Sequence, residues 1–427
     1  MRLEVLLNKT KPTLVDLFAG CGGLSLGLEI AGFQPVFVSE INEHARETYI
    51  INRKHLNLVN GRDVVGDITE LTRSSKALRQ LATRLRREFG DIDLVAGGPP
   101  CQGYSTRGIR STFSHVTRDQ TPANHLYRDM AKFVSAVGPK MFLFENVRGL
   151  LTARWNSKGD RGEIWRDVQY SFSRIQTKRH GKVLRYRIAT AVFKASDFGV
   201  PQNRPRLFLF GVRENVTDRS GNIVDAETLL PTPDRNSVID LKDLLSDLID
   251  EKGEHLGHSS TYPKPPLTAI QRSLRTTRSG RVLRKGDSLT DHVYCRHSER
   301  VVHRFQHMIT SDKPIPKNLS IKKFAQRALP ARWSSRGPSI TATSAPDDYV
   351  HFCRPRILTV REWARLQMFP DWYVFSGPRT TGGRRRAGDL SVGDWSRELP
   401  RYTQIGNAVA IPVAVAIGKS LLEAVSK

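Results

Sequence analysis

Residues 13–23 read Thr-Leu-Val-Asp-Leu-Phe-Ala-Gly-Cys-Gly-Gly. Thr13 to Phe18 has the apolar character of a buried strand, the glycines that follow form a turn, and Leu24 to Ala31 reads as a helix. The same alternation continues outward. Pro35 to Glu40 reads as a second strand and Glu43 to Asn52 as a second helix. A long charged helix is expected from about Ser74 to Phe89, followed by a short strand over Asp91 to Ala96. Met141 to Phe144 and Arg206 to Phe210 are further buried strands. Repeated strand–helix units predict an α/β fold built on a parallel sheet covered on both faces.

In such sheets the chemistry collects at the carboxyl ends of the strands. Residues 97–105, Gly-Gly-Pro-Pro-Cys-Gln-Gly-Tyr-Ser, lie at one of these ends. The prolines restrict the loop, and Gly98 and Gly103 let another molecule approach the backbone. A free cysteine is more often a buried apolar residue, but a core position needs no rigid loop, so this segment is read as presenting the Cys101 thiol. Glu145 ends a strand of Met, Phe, Leu and Phe, where desolvation raises a carboxyl pKa and favours a proton donor; as an alternative it only caps the turn at Asn146. Arg204 and Arg206 alternate on an extended chain and point to one side, either to clamp a carbonyl or phosphate or to form a structural ion pair. The turn at Gly20–Gly23, with Glu40 at the next strand end, is placed to take a cofactor and its ribose. Dinucleotide enzymes, nucleotide enzymes and methyltransferases all use such a turn, and it can also be a packing turn with no ligand.

The chain has 427 residues, enough for two domains with substantial cores. Its four cysteines include no Cys-x-x-Cys pair, so neither a zinc site nor a disulfide framework is expected, and a reducing cytoplasm is the expected compartment. No secretory signal is read near Leu6, and Ala408 to Gly418 is too short for a membrane span and contains Pro412. The net charge of +25 points to a polyanionic partner, most simply nucleic acid. Beyond Arg213 the chain turns polar, and residues 214–340 show no long periodic element. Ser376 to Gly388 reads as a basic linker.

Together these segments, in this order, resemble the cytosine-5 DNA methyltransferase family typical of bacterial restriction–modification systems. The resemblance covers about half the chain, including both ends. Asp16 to Gly23 resembles the cofactor loop, Glu40 the ribose acid, Gly66-Asp67-Ile68 the adenine segment, Gly97 to Ser105 the nucleophile loop, and Asn124 to Tyr127 a weaker cofactor segment. Glu145 to Val147 and Gln202 to Arg206 resemble the target-base pocket, Arg361 to Pro370 a helix supporting the recognition domain, and Gln404 to Val409 the last cofactor segment.

What the resemblance implies is a Rossmann-like domain dependent on S-adenosylmethionine, with a smaller basic target-recognition domain. The implied boundaries are 1–213 for the catalytic domain, completed by 400–427, then 214–375 for recognition and 376–399 for a basic hinge. Cofactor contacts are implied for Phe18, Ala19, Gly20, Gly22, Gly23, Glu40, Ile41, Asp67, Ile68, Pro100, Leu126, Asn407 and Ala408. Cys101 is the implied nucleophile, adding to carbon 6 of a flipped cytosine, with Glu145 at ring N3 and Arg206, with Arg204 beside it, at the carbonyl oxygen.

Duplex DNA is the implied partner, approached by Gln102, Ser105 and Arg107 of the nucleophile loop and by Thr341. Arginine recurs at every third position through Arg272, Arg275, Arg278, Arg281 and Arg284, which suits phosphate contact, with a merely solvated face as the alternative. The basic stretch Arg154 to Arg187 suggests additional duplex contact. A monomer without a metal, associated with the nucleoid and accompanied by a cognate restriction endonuclease, completes the expectation. Two rivals share the core: a tRNA cytosine-5 methyltransferase, whose Cys-Phe-Thr tripeptide is absent because Cys353 precedes Arg354, and a catalytically idle DNA-binding regulator.

Overall fold

The computed structural model describes residues 11–100, 122–234, 238–320, 326–335, 337–340, 348–380 and 398–426. An eight-stranded sheet runs in the order β3-β2-β1-β4-β5-β8-β7-β6. Its strands are β1 (Thr13–Leu17), β2 (Gln34–Ser39), β3 (Val64–Val65), β4 (Leu94–Gly97), β5 (Met141–Val147), β6 (Gln176–Arg179), β7 (Lys182–Lys194) and β8 (Pro205–Arg213). The first five in sheet order are parallel. Here the expectation of a parallel sheet needs correction, because β8 runs antiparallel to β5 and to β7, and β6 antiparallel to β7. A tight turn at His180–Gly181 returns β6 into β7 with no crossover helix, and this is what reverses the direction.

Burial alternates along the central strands. Leu14, Leu143, Phe208 and Phe210 pack on one face, and Val15, Phe142, Phe144, Leu207 and Leu209 on the other, as the period-two geometry of a strand requires. The second face is covered by α4 (Ser75–Phe89), α5 (Leu126–Val137) and α6 (Glu163–Ser173). Helix α4 is capped at Ser74 and buries Leu78, Leu81, Ala82 and Leu85 at helical spacing, leaving its charges outside. Residues 154–187 are part of the sheet and its covering layer. Trp165, Val168 and Phe172 of α6 are core residues, and β6 with β7 widens the sheet.

Helices α1 (Gly23–Ala31), α12 (Arg401–Asn407) and α13 (Ile411–Ser426) cover the first face, so the end of the chain packs on its beginning. Among the described residues the remaining α-helices are α2 (Glu43–Ile51), α3 (Ile68–Thr72), α7 (Leu241–Leu245), α8 (Glu251–Leu256), α9 (Ala269–Leu274), α10 (Glu299–Thr310) and α11 (Val360–Leu366). Helix α10, of 12 residues, is a longer regular element than was expected in this stretch. Its charged surface and short apolar stripe conceal it in composition. Helix α11 packs in the first-face cluster through Trp363, Ala364 and Leu366.

The α1–α13 contact is close because both helices present small residues. A Cβ on Gly27 would lie 2.9 Å from the Ile411 carbonyl oxygen and against the Ala414 side chain. Gly27→Val is therefore expected to lower stability by about 1–3 kcal/mol through overpacking, read as a lower urea midpoint. An unchanged midpoint would show that the helices separate at no cost.

Candidate active site

Two neighbouring strand ends make the first half of the site. Beyond β1 the chain turns through Phe18 (φ 56°), Gly20 (φ 56°) and Gly22 (φ 82°) before α1 begins at Gly23. Such positive angles suit glycine and strain phenylalanine. Glu40, just past β2, stitches the turn in place. Its Oε2 accepts the Gly20 N–H at 2.8 Å and its Oε1 the Asn42 N–H at 2.8 Å. Burial raises the Glu40 pKa, and these N–H groups with Arg46 offset it only in part. Each carboxylate oxygen keeps acceptor capacity for a further donor such as a sugar hydroxyl. Beside it Ile41 is 69% exposed, an apolar side chain left uncovered next to a buried acid. Ala19 donates its N–H to the Ser39 carbonyl at 3.0 Å, and a Cβ on Gly20 would meet nothing within 4 Å. This open cradle with a buried acid at its rim fits a ribose-bearing cofactor.

The other expected cofactor residues fall into three groups. Asp67 caps α3, both its oxygens accepting from Thr69, with Ile68 buried behind it. Leu126 starts α5, and Pro100 is exposed at the entrance to the loop. From the far end of the chain, Asn407 is exposed at the end of α12, and Ala408 lies so close to Gly23 that a Cβ there would sit 2.8 Å from the alanine Cβ.

The second half of the site is a carboxylate–guanidinium pair. Antiparallel pairing of β5 with β8 sets Glu145 opposite Phe208 and Val147 opposite Arg206. On that diagonal Arg206 Nε reaches Glu145 Oε1 at 2.9 Å, with the two side chains 12% and 13% exposed. Burial raises the Glu145 pKa, while Arg206 and then Arg204 pull it down without cancelling the rise. Gly98 lies against this carboxylate, since a Cβ there would be 2.7 Å from Oε2. Asn146 Nδ2 donates to the Pro99 carbonyl at 3.1 Å and so holds the strand end that leads to residue 101. Neither Asn146 nor Gly98 is expected in these roles from the sequence. A strand-end asparagine beside a candidate acid was the available signal.

Beside its weaker pull on Glu145, Arg204 is buried and donates to the carbonyls of Gly406 (2.5 Å), Asn407 (3.3 Å) and Ala408 (3.2 Å). Its neighbours act likewise. Gln202 donates to the Leu366 carbonyl and to Gln367 Oε1 (3.0 Å), and the Asn203 N–H donates to the Pro338 carbonyl at 2.8 Å.

Among the five regularly spaced arginines, Arg272, Arg278, Arg281 and Arg284 are exposed. Arg275 is not available to a duplex: it is fully buried, paired with Asp247 at 2.5 Å and stacked 3.8 Å from the Tyr262 ring centre. It lies at the C-terminal end of α9, on the same side as the buried Gln271 and Leu274, so a three-residue spacing there runs into the core. Cys101, Gln102, Ser105, Arg107 and Thr341 lie outside the described residues, as does most of the expected basic linker.

The family model for C-5 cytosine-specific DNA methylases matches residues 13–423. Type II methyltransferase M.DdeI of Desulfomicrobium norvegicum is 30% identical over 426 residues, covering 96% of this chain and 88% of that protein. Type II methyltransferase M.XorII of Xanthomonas oryzae is 30% identical over 436 residues, covering 98% and 86%. Among solved structures, a protein assigned as a DNA modification methyltransferase encoded within an Escherichia coli prophage superposes with a TM-score of 0.64 at 25% identity, covering 96% of this chain and 98% of that one.

Gly98→Ala tests the acid's placement. The added methyl meets the movable tip of Glu145, so the fold is expected to survive with little change in melting temperature. Displacing the carboxylate by about 1 Å is expected to lower turnover by roughly 100-fold. Wild-type turnover in this variant would show that Glu145 works equally well from another position.

Proposed function

The chain belongs to the C-5 cytosine-specific DNA methylase family, and from that premise we propose that it is the modification enzyme of a Type II restriction–modification system, methylating one cytosine within a specific duplex sequence. The observation that carries the reading is the Glu145–Arg206 pair, set against Gly98 on the strand end that leads into Cys101. Names of relatives that act as Type II methyltransferases support the biological setting.

In this reading S-adenosylmethionine, when bound, supplies the electrophilic methyl group that carbon 5 of the cytosine accepts. Glu40 would hold its ribose, with Phe18, Ala19, Gly20, Gly22, Gly23 and Ile41 around it. Asp67, Ile68, Pro100, Leu126, Asn407 and Ala408 would close the rest of the pocket. Carbon 5 is a poor nucleophile in the intact aromatic ring. Cys101 adds as a thiolate to carbon 6, and Glu145 gives a proton to ring N3, so that electron density moves to carbon 5. As carbon 5 takes the methyl, the N3 proton returns to the Glu145 carboxylate; a base such as water then removes the carbon-5 proton, which expels the Cys101 thiolate and restores the ring.

A buried acid suits the donor role, since burial raises its pKa and favours the protonated form over the carboxylate. Arg206 pairs with that acid and would meet the base carbonyl, whereas Arg204 donates to the C-terminal segment. The base must first leave the stacked duplex, at a cost of a few kcal/mol. Gln102, Ser105, Arg107 and Thr341, with Arg272, Arg278, Arg281 and Arg284, are proposed to hold the DNA during that step. A cognate endonuclease is the implied partner.

Two measurements test the proposal. Expression in a host without cytosine methylation, followed by bisulfite sequencing of its genome, should reveal 5-methylcytosine at one recurring sequence. A genome that stays unmethylated would refute the activity. A duplex with 5-fluorocytosine at that site should form a covalent adduct with the wild-type protein and none with Cys101→Ala, which should still bind the duplex. An adduct in the variant would move the nucleophile elsewhere.

A further inference from the structure

The loop from Phe18 to Gly23 must keep one shape to hold a ligand, yet its own sequence does not fix that shape. Three of its six residues are glycines, and Phe18 sits at a positive φ. Support comes from beneath, from two buried side chains outside the loop. Tyr373 donates its hydroxyl to the Cys21 carbonyl at 2.5 Å and accepts from Arg53 Nη1 at 2.9 Å. Arg53 donates through Nη2 to the Gly22 carbonyl at 3.1 Å, pairs with Glu29 at 2.6 Å and lies 3.8 Å from the Tyr49 ring centre. Gly22 and Arg53 are complementary in shape, for a Cβ on Gly22 would sit 2.7 Å from Nη1.

Tyr373 is 352 positions beyond Cys21, on the segment that follows α11. Its carbonyl accepts from Arg361 at 2.9 Å, and Arg361 also donates to Thr290 Oγ1 at 2.8 Å and faces Asp291 at 3.5 Å. Its neighbour Trp372 lies under the Arg278 guanidinium at 4.2 Å. Arg278 in turn donates to the Asn52 carbonyl at 3.0 Å, one residue before Arg53. The floor of the loop and Arg278 therefore share one support.

We propose that Tyr373 is a positioning residue for the cofactor loop, through which the second half of the chain sets cofactor affinity. The inference rests on reading that loop as the S-adenosylmethionine site. Removing the hydroxyl leaves the Cys21 carbonyl and one Arg53 N–H each a partner short in a buried place, where water cannot readily substitute. The loop then spends less time in its binding shape, and apparent affinity falls by that fraction. Nothing at Glu145 or Cys101 changes, so turnover at saturating cofactor should hold.

Tyr373→Phe is the variant to make, because it keeps the ring packed against Phe369 and Phe375. Calorimetry with S-adenosylhomocysteine should give a Kd about tenfold higher than wild type. KM for S-adenosylmethionine should rise by a similar factor with kcat nearly unchanged, and the ligand-free protein should melt within a few degrees of wild type. Wild-type affinity in the variant overturns the proposal. So does weaker binding accompanied by an equal loss of kcat or a large fall in melting temperature, which would mark general loosening. A wild-type protein that binds no S-adenosylhomocysteine would instead overturn the cofactor reading, and this inference with it.

Discussion

The molecule closes at the C-terminal end of α12, where a buried guanidinium meets the last carbonyls of a helix. Such carbonyls have no partner within their helix and carry the negative end of its dipole. Arg204 supplies donors to Gly406, Asn407 and Ala408, and Gln367 adds donors to Ile405 and Ala408. Charge-assisted bonds in a buried place are among the stronger directional contacts available to a protein. This one joins three distant stretches of chain at a single point. It places Ala408 against Gly23, and so brings the end of the chain to the rim of the cradle formed near its beginning. Without that closure the first face of the sheet would lose α13, and the cradle would have one open side.

Gln367 owes its position to α11, whose sequence Val-Arg-Glu-Trp-Ala-Arg-Leu is buried along its whole length, charges included. Burial alone would raise the Glu362 pKa, but Arg356 with two hydrogen bonds overrides it and holds the carboxyl well below the usual range. Arg365 pairs with both Asp247 (2.5 Å) and Asp371 (2.6 Å), and Arg361 faces Asp291. Desolvating such groups costs nearly as much as their attraction returns, so the cluster adds little net stability. What it does supply is discrimination. A shifted α11 would leave several charges buried without partners, at several kcal/mol each, whereas an apolar helix could slide and repack. The sheet and the polar second half of the chain are therefore held in one relative register, with Tyr373 close behind α11.

The α/β character was legible because strands β1, β2, β4 and β5 have short apolar runs and the turns between them carry glycine. Helix α4 was legible to within one residue, since a Ser cap and helical spacing of leucines coincide there. The antiparallel β6–β8 extension was not. Direction of pairing depends on which edge a strand joins, and Arg206 to Phe210 reads the same either way. That direction places Arg206 diagonal to Glu145, so the ion pair could be anticipated only as two separate candidates. The regular arginine spacing misled at Arg275, because charge in a sequence does not say whether an aspartate waits in the core. Arg53 and Tyr373 were invisible because the loop groups that they hold are the backbone carbonyls of Gly22 and Cys21, and a carbonyl has no signature in sequence.

In the proposed reaction, two roles that need a fixed relation fall to consecutive residues of one strand. Glu145 turns its carboxylate toward Gly98 and Arg206, while Asn146 turns the other way to grip the Pro99 carbonyl. Adjacent Cα atoms are held about 3.8 Å apart by the peptide bond itself, so the acid and the anchor of the loop cannot drift independently. The parallel β4–β5 register, Gly97 beside Phe144, sets the height of both against the loop. Side-chain packing leaves an ordinary site free to shift by tenths of an ångström, but here covalent geometry and a sheet ladder fix the spacing. The prolines at 99 and 100 then extend that rigidity to the entrance of the loop, because their φ angles are fixed by the ring. Precision at this site thus comes from backbone, and the tuning of the acid comes from burial set against the Arg206 and Arg204 guanidiniums.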